Sequence, residues 1–232
     1  MRKTPIFVFL FLSLALSQSN VDILMKIKEK YNKLEDFQAK VKIQTTIPNF
    51  RMPVKTIQLF YKTPDKLKVK TKGFALIPKK GIMPFMYLDK VTHDSIQVDT
   101  CYSRTINNKI LTFISISDTS VSKTGTLALI LDNILERIEK VNVIVGQDTI
   151  STINFEYQNI DGFWMPNMTD FSFNMPKRIS DASGPSMTNP FGKIDRGSAA
   201  GNFQNKGNVK LFFTKIKVNQ GLEDSFFRKD EK

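Results

Sequence analysis

Few residues in this chain are of the types that carry covalent or metal chemistry. Its 232 residues include one histidine, His93, and one cysteine, Cys101. That removes most metal and acid–base constellations: there is no HExxH pair, no paired cysteine and no evident Ser-His-Asp set. Ser120-Val121-Ser122-Lys123 matches S-x-x-K, and Lys123-Thr124-Gly125 matches K-T-G. In serine acyl enzymes these two motifs sit on separate elements, so their overlap here reads as coincidence. Gly192 and Gly197 have phosphate-loop spacing, but Ser198 stands where a lysine is required. Asp94 with Asp99, and Asp161 with Asp170, read as turn and solvent residues rather than as carboxylate pairs. No enzymatic activity, metal or cofactor is expected.

The remaining chemistry is apolar. The chain holds 19 Phe and 9 Met, with Met residues gathered in 83–86 and 165–187. Ordinary core accounts for many of them, but flexible Met side chains also suit variable apolar ligands.

The elements that must position these side chains are mostly strands. One helix is expected over Asp22–Asp36, where Ile23, Leu24, Ile27, Tyr31 and Leu34 make an apolar stripe. The period then changes to two. Phe37, Ala39, Val41, Ile43, Thr45 and Ile47 alternate with polar residues, as do Ile57, Leu59 and Tyr61, then Leu67, Val69 and Thr71. Thr63-Pro64-Asp65-Lys66 reads as the turn between the last two sets, with Pro64 at its second position. Further strands are expected at Ser95–Ser103 and Lys109–Ser117, around an Asn107-Asn108 turn.

Residues 126–145 have helical propensity, but Leu127, Leu129 and Leu131, and then Val141, Val143 and Val145, alternate. They read as two strands about Asp132-Asn133. Ile150–Tyr157 follows, then Phe163-Trp164-Met165-Pro166. The next strand carries Met168, Phe171, Phe173 and Met175, and the last, Asn208–Val218, holds Val209, Leu211 and Phe213.

About ten strands, short turns and no βαβ rhythm imply a mainly β (α+β) fold: a strongly curved antiparallel sheet with an N-terminal helix on its apolar face. One helix, about 10 Å across, cannot cover ten strands spaced ~4.8 Å apart. The apolar loop 73–89 is the expected further cover. Residues 176–207, rich in Gly, Ser, Pro and Asn, read as a long flexible insertion.

The ends are distinct. Arg2 and Lys3, an apolar run Ile6–Leu16 broken by Ser13, and the small residues Ala15 and Ser17 make a cleavable secretory signal, cut near Ser17. The expected organisation is therefore a signal at 1–17, one domain at 18–228 and a charged tail at 229–232. The expected location is the periplasm. With one Cys there is no internal disulfide, and stability must come from packing. The net charge is +12. Its basic residues are spread over strand-like segments, and read as solvated sheet faces and edge-protecting lysines; the alternative reading is attraction to anionic membrane surfaces. No nucleic-acid motif is visible.

In order along the chain, Tyr31-Asn32-Lys33-Leu34-Glu35-Asp36-Phe37-Gln38-Ala39, Leu59-Phe60-Tyr61-Lys62-Thr63-Pro64-Asp65-Lys66-Leu67-Lys68-Val69, Gly125-Thr126-Leu127-Ala128-Leu129 and Tyr157-Gln158-Asn159-Ile160-Asp161-Gly162-Phe163-Trp164-Met165-Pro166 resemble the outer-membrane lipoprotein-sorting carriers, the LolA-like family. The resemblance covers most of 22–175. It implies an unclosed β-barrel with helical or loop lids, whose hydrophobic cavity takes lipoprotein acyl chains across the periplasm. By position Leu67 matches an apolar residue at the mouth, and Thr63 stands where the well-studied carriers have an Arg.

The expected function is accordingly a periplasmic carrier, a monomer, moving the acyl chains of lipoproteins or other lipids between membranes. Transfer proteins of the inner and outer membranes would be its partners. The alternative is an envelope sensor or protein-binding module on the same fold. The candidate cavity lining is Val41, Ile43, Leu59, Tyr61, Leu67, Val69, Phe155, Tyr157, Trp164, Phe171 and Phe173. The candidate lid is Phe74, Leu76, Ile82, Met83 and Phe85.

Overall fold

The computed structural model describes residues 22–47, 52–73, 82–88, 96–118, 125–174 and 206–228. The expected signal, the 176–205 part of the insertion, the 229–232 tail, His93 and the lid residues Phe74 and Leu76 lie outside them.

Helix α1 covers 22–32 and is followed by β1 (Asp36–Thr46), β2 (Lys55–Lys62), β3 (Lys66–Lys70), a single 3-10 turn (Pro84–Tyr87), β4 (Ile96–Ile106) and β5 (Lys109–Asp118). Then come β6 (Gly125–Asp132), β7 (Arg137–Val145), β8 (Asp148–Ile160), β9 (Phe163–Asn174), β10 (Lys206–Val218) and a last 3-10 turn (Asp224–Phe227). All ten strands form one antiparallel sheet in the order β3-β2-β1-β10-β9-β8-β7-β6-β5-β4. It is an unclosed barrel, with β3 and β4 as its edges.

Curvature has a local cause. The register slips at five places, one each in the β1–β10, β4–β5, β6–β7, β7–β8 and β8–β9 ladders. Each unpaired residue bends its strand and raises the local twist. Cross-strand partners share a face, so the registers carry one apolar stripe across the sheet. It runs through Leu59 opposite Val69, Val41 opposite Phe213, Val209 opposite Phe171, Ile153 opposite Val141, and Leu129 opposite Ile114. These faces, the stripe of α1 and residues 82–88 form one buried core. Burying each large side chain of that stripe contributes about 1.5–3 kcal/mol.

Four expectations need correction. The helix ends at residue 32, not at Asp36, because Asp36 is already paired in β1 opposite Lys62. In β9 the core positions are Met165, Thr169 and Phe171, while Met168 is half-buried. Met168 stands three residues before Phe171, so alternation puts it on the other face, and the slip between Glu156 and Tyr157 leaves Asn167, which precedes it, unpaired. Lys206 and Gly207, assigned to the insertion, are the first residues of β10 and pair with Asn174 and Phe173. Lastly, residues 82–88 are not an open loop. They contain the 3-10 turn, and Ile82, Met83, Phe85, Tyr87 and Leu88 are buried. The reading of 126–145 as two strands holds, as does the Asn107-Asn108 turn, where both residues have positive φ.

Gly207 shows how closely β9 and β10 pack. The Phe173 ring lies across it, and an added Cβ would meet ring atoms at 2.1–2.8 Å. Gly207→Ala should therefore cost about 1–3 kcal/mol by forcing the ring aside. A urea titration showing no shift in midpoint would refute this packing.

Candidate functional site

The site is the inner face of the sheet and what fills it. The chain leaves β3 at one edge and resumes as β4 at the other. Residues 82–88, described within that connection, pack into the core on the inner face of the sheet. Thr169 Oγ1, buried in β9, donates a hydrogen bond to the Ile82 carbonyl at 3.4 Å. Otherwise the segment is held by its apolar side chains.

Phe85 is at the centre of three other rings. Its centroid is 5.2 Å from Tyr31 on α1, 5.2 Å from Tyr61 on β2 and 6.2 Å from Phe37 on β1. Phe37 and Tyr61 stack at 5.4 Å. Such pairs contribute about 0.5–1.5 kcal/mol each beyond the area they bury. Phe85 therefore joins the helix to two strands through a side chain rather than through backbone.

Few polar groups reach this interior: Thr112, Ser151 and Thr169 are buried there, and the buried Thr45 Oγ1 has no hydrogen-bond partner among the described residues. The Tyr31 hydroxyl donates to the Trp164 carbonyl at 2.5 Å, and that of Tyr61 to the Pro64 carbonyl at 2.7 Å. The Tyr157 hydroxyl donates to the Ile138 carbonyl. Burial pushes the phenols of Tyr31, Tyr87 and Tyr157 above their ordinary value, so they stay neutral. The Arg137 guanidinium lies 4.7 Å from the Tyr157 ring centroid and 4.9 Å from that of Trp164. Its Nε and Nη2 donate to Glu139 Oε1 at 3.0 and 2.9 Å. The register slip in the β6–β7 ladder leaves Glu139 unpaired and within reach of Arg137.

The Thr63 end of the site is also tied. Thr63 Oγ1 donates to the Leu34 carbonyl at 2.6 Å, and its N–H to the Glu35 carbonyl at 2.8 Å. The turn at Pro64, whose peptide bond to Thr63 is cis, is thereby fixed to the chain just after α1. Beside it is an open pocket of about 140 Å³, lined by Lys28, Tyr31, Asn32, Leu34, Tyr61, Thr63, Pro64, Phe85 and Leu88. Ligand sites for drug-sized molecules are about 300–1,000 Å³, so this one would hold only a fragment of an acyl chain while Phe85 is in place.

The structure brings most of the sequence-predicted lining together. Val41, Ile43, Leu59, Tyr61, Phe155 and Phe171 are buried in one core, and Leu67, Val69, Tyr157 and Phe173 pack at its margin. Trp164 is half-buried beside Arg137. Ile82, Met83 and Phe85 lie in the same core, as its innermost layer rather than as an outer cover. Sequence reasoning missed Arg137 and Thr169. Neither carries a local signal, since what singles them out are partners far along the chain. Cys101 is partly buried, which pushes its thiol up from the ordinary value and makes it less reactive. Among the described residues no group of three or more His, Cys, Asp or Glu could hold a metal ion, and no helix is long and apolar enough to cross a membrane.

No protein-family model matches the chain, and no curated protein matches it. Solved structures do. A LolA superfamily protein from Nitrosomonas europaea aligns with TM-score 0.53 at 14% identity, over 91% of this chain and 98% of that one. The fold is LolA-like. A DUF1329 family protein from Desulfovibrio piger aligns at TM-score 0.56 and 7% identity, over 92% of this chain and 97% of that one. At these identities the likeness concerns the fold: a LolA-like sheet whose mouth, in this chain, is occupied by its own residues 82–88.

The outer face of the LolA-like sheet bears one further contact set. Asp224 in the last turn receives Lys62 Nζ at 2.8 Å and Lys66 Nζ at 2.6 Å. Hydrogen bonds from these two lysines pull its carboxyl down to about 2. A depressed carboxyl contributes stability that is present above its unfolded value and lost as pH falls through the folded one. The contribution of this exposed pair is thus full at neutral pH, declines below about pH 4 and is gone near pH 2, and the turn should loosen over that window. NMR shifts of Phe226, whose ring packs 4.8 Å from Phe60, report this; release beginning near pH 5 would contradict it.

Proposed function

We propose that the protein is an exported, periplasmic carrier, not an enzyme. It would shield the acyl chains of lipoproteins or other lipids between an inner- and an outer-membrane partner. The observation that supports this most is the mode of attachment of residues 82–88. A largely apolar inner face is filled by a segment held by rings and aliphatic contacts, with one long hydrogen bond to the sheet among the described residues. An acyl chain can replace such a filling with the loss of little more than that one bond. Each buried methylene is worth about 0.8 kcal/mol, so affinity needs no polar recognition. The lining proposed is the set above, from Val41 to Phe173, with Ile82, Met83 and Phe85 as the displaced lid. Export rests on the residue pattern of 2–17, and the mature protein is proposed to act as a monomer.

One observation favours the second reading, a protein-binding or sensor module: the described interior is already packed, with an open pocket of only about 140 Å³. Native mass spectrometry decides between them. Protein recovered from the exported fraction of membrane-containing cells should carry additional mass that organic solvent extracts as lipid. Apo mass alone, no extractable lipid and one stoichiometric protein partner in a cross-linking experiment would establish the second reading instead.

A further inference from the structure

The lysines scattered through the sequence are sorted by the fold. The chain segments forming β1, β2, β3, β10 and the last turn (36–47, 52–73 and 206–228) carry 13 Lys and Arg against 4 Asp and Glu. Those forming β4 to β9 (96–118 and 125–174) carry 4 against 9. One half of the sheet is therefore strongly positive and the other negative. Within β1, β2, β3 and β10 no cation is an arginine, and the one acid, Asp36, is buried.

Alternation puts this charge on the outer face. Lys40 and Lys42 are exposed between the buried Ala39, Val41 and Ile43, and Lys70 and Lys217 are exposed on β3 and β10. The registers set neutral residues between them: Lys40 and Lys70 both lie opposite Gln58, Lys42 opposite Thr56, and Lys217 opposite Gln38. Same-sign charges then repeat about two residues along a strand and about two strands across, roughly 7–10 Å, comparable to the screening length of about 8 Å in physiological salt.

Edge protection explains lysines on β3, which is an edge. It does not explain those on β1 and β10, the third and fourth strands inward. Cross-strand ion pairs account for Lys210, which meets Asp170 at 3.5 Å, but not for Lys40, Lys42 and Lys217, whose partners are neutral. An array of this kind lowers the stability of the free protein by self-repulsion and is relieved only by an opposing negative surface. Flexible lysine ammonium groups suit a fluid, unpatterned negative plane, whereas fixed phosphates or carboxylates favour the planar fork of arginine. The negative β4–β9 half orients the molecule at such a plane.

We propose that the outer face of β3-β2-β1-β10 docks on an anionic lipid bilayer surface, whether or not the interior carries an acyl chain. The test is co-sedimentation of the mature protein with vesicles of phosphatidylglycerol in phosphatidylethanolamine, against phosphatidylcholine alone, at about 0.05 M and about 0.5 M salt. Binding is expected to the anionic vesicles only and to fall in high salt. Lys40→Gln with Lys42→Gln should weaken it about 25-fold, on the basis of roughly fivefold per lysine at an anionic surface. Arg104→Gln with Lys140→Gln, in the negative half, should not weaken it, and circular dichroism checks that both variants are folded. No binding at low salt, equal loss in the two variants, or tighter binding to an acidic peptide or to RNA than to the vesicles would each overturn the proposal. Because lipid extracted from the interior is not measured here, failure of the carrier reading would leave this result intact.

Discussion

Phe85→Ala is expected to lower stability by about 3–5 kcal/mol, the usual cost of removing a buried phenyl ring with partial collapse of the site. The ring is 6% exposed and touches Tyr31, Tyr61 and Phe37, so its loss separates α1 from β1 and β2 at their common centre. A domain of this kind is stable by only about 5–15 kcal/mol in total, so the urea midpoint should fall by a large fraction. Phe85→Leu keeps most of the volume and should cost about 1–2 kcal/mol.

The same pair of variants bears on function. Phe85 lines the pocket of about 140 Å³ beside Pro64, and truncating it extends that pocket into the core. A fluorescent fatty-acyl probe should therefore bind Phe85→Ala more tightly than the parent, with Phe85→Leu between them. Loss of stability with unchanged probe affinity would make Phe85 ordinary core and count against residues 82–88 as a displaceable filling.

The second large effect is expected at Asp36. Its carboxylate is 1% exposed. Oδ1 accepts the Gln220 N–H at 2.8 Å and Oδ2 accepts the Leu222 N–H at 2.9 Å, while its main-chain carbonyl accepts the Asn219 N–H. Asn219 in turn accepts the Glu35 N–H and donates to the Lys33 carbonyl through its side-chain amide. The end of α1, the start of β1 and the exit of β10 thus meet in one hydrogen-bonded knot. Hydrogen bonds to a charged acceptor contribute about 1.5–3 kcal/mol each. Asp36→Ala should destabilise by about 3 kcal/mol, and Asp36→Asn, whose amide offers one acceptor and one donor, by about 1–2 kcal/mol. Hydrogen exchange localises the effect: the Leu222 amide should exchange faster in both variants. Unchanged exchange there would show that Asp36 does not hold the C-terminal segment.

The sequence carried the strand pattern well, and for a physical reason. A sheet with one wet and one dry face must alternate, so Val41, Leu59, Phe171 and their neighbours announce both their element and their side of it. The helix stripe of Ile23, Ile27 and Tyr31 is equally local. Register slips are not local. Asn167 and Glu139 look like any strand residues, and their displacement is visible only against the partner strand. The role of residues 82–88 was hidden in the same way. Their apolar composition pointed to cover, but whether they lie over the core or within it depends on which edges the chain must connect. The sorting of lysines onto one half is also a property of strand order, since β10 comes from the far end of the chain and joins β1.

The connection from β3 to β4 makes one further demand on any opening of this barrel. A lid hinged on one rim could swing away and leave the rest of the fold where it was. Here the filling belongs, in chain order, between the two edge strands, and its described contacts are with α1, β1 and β2. Drawing Phe85 away from Tyr31, Phe37 and Tyr61 removes the rings' common neighbour and loosens the seat of α1 on the sheet. Emptying the interior is therefore coupled to freeing the helix, and a carrier built this way opens by unseating two elements at once.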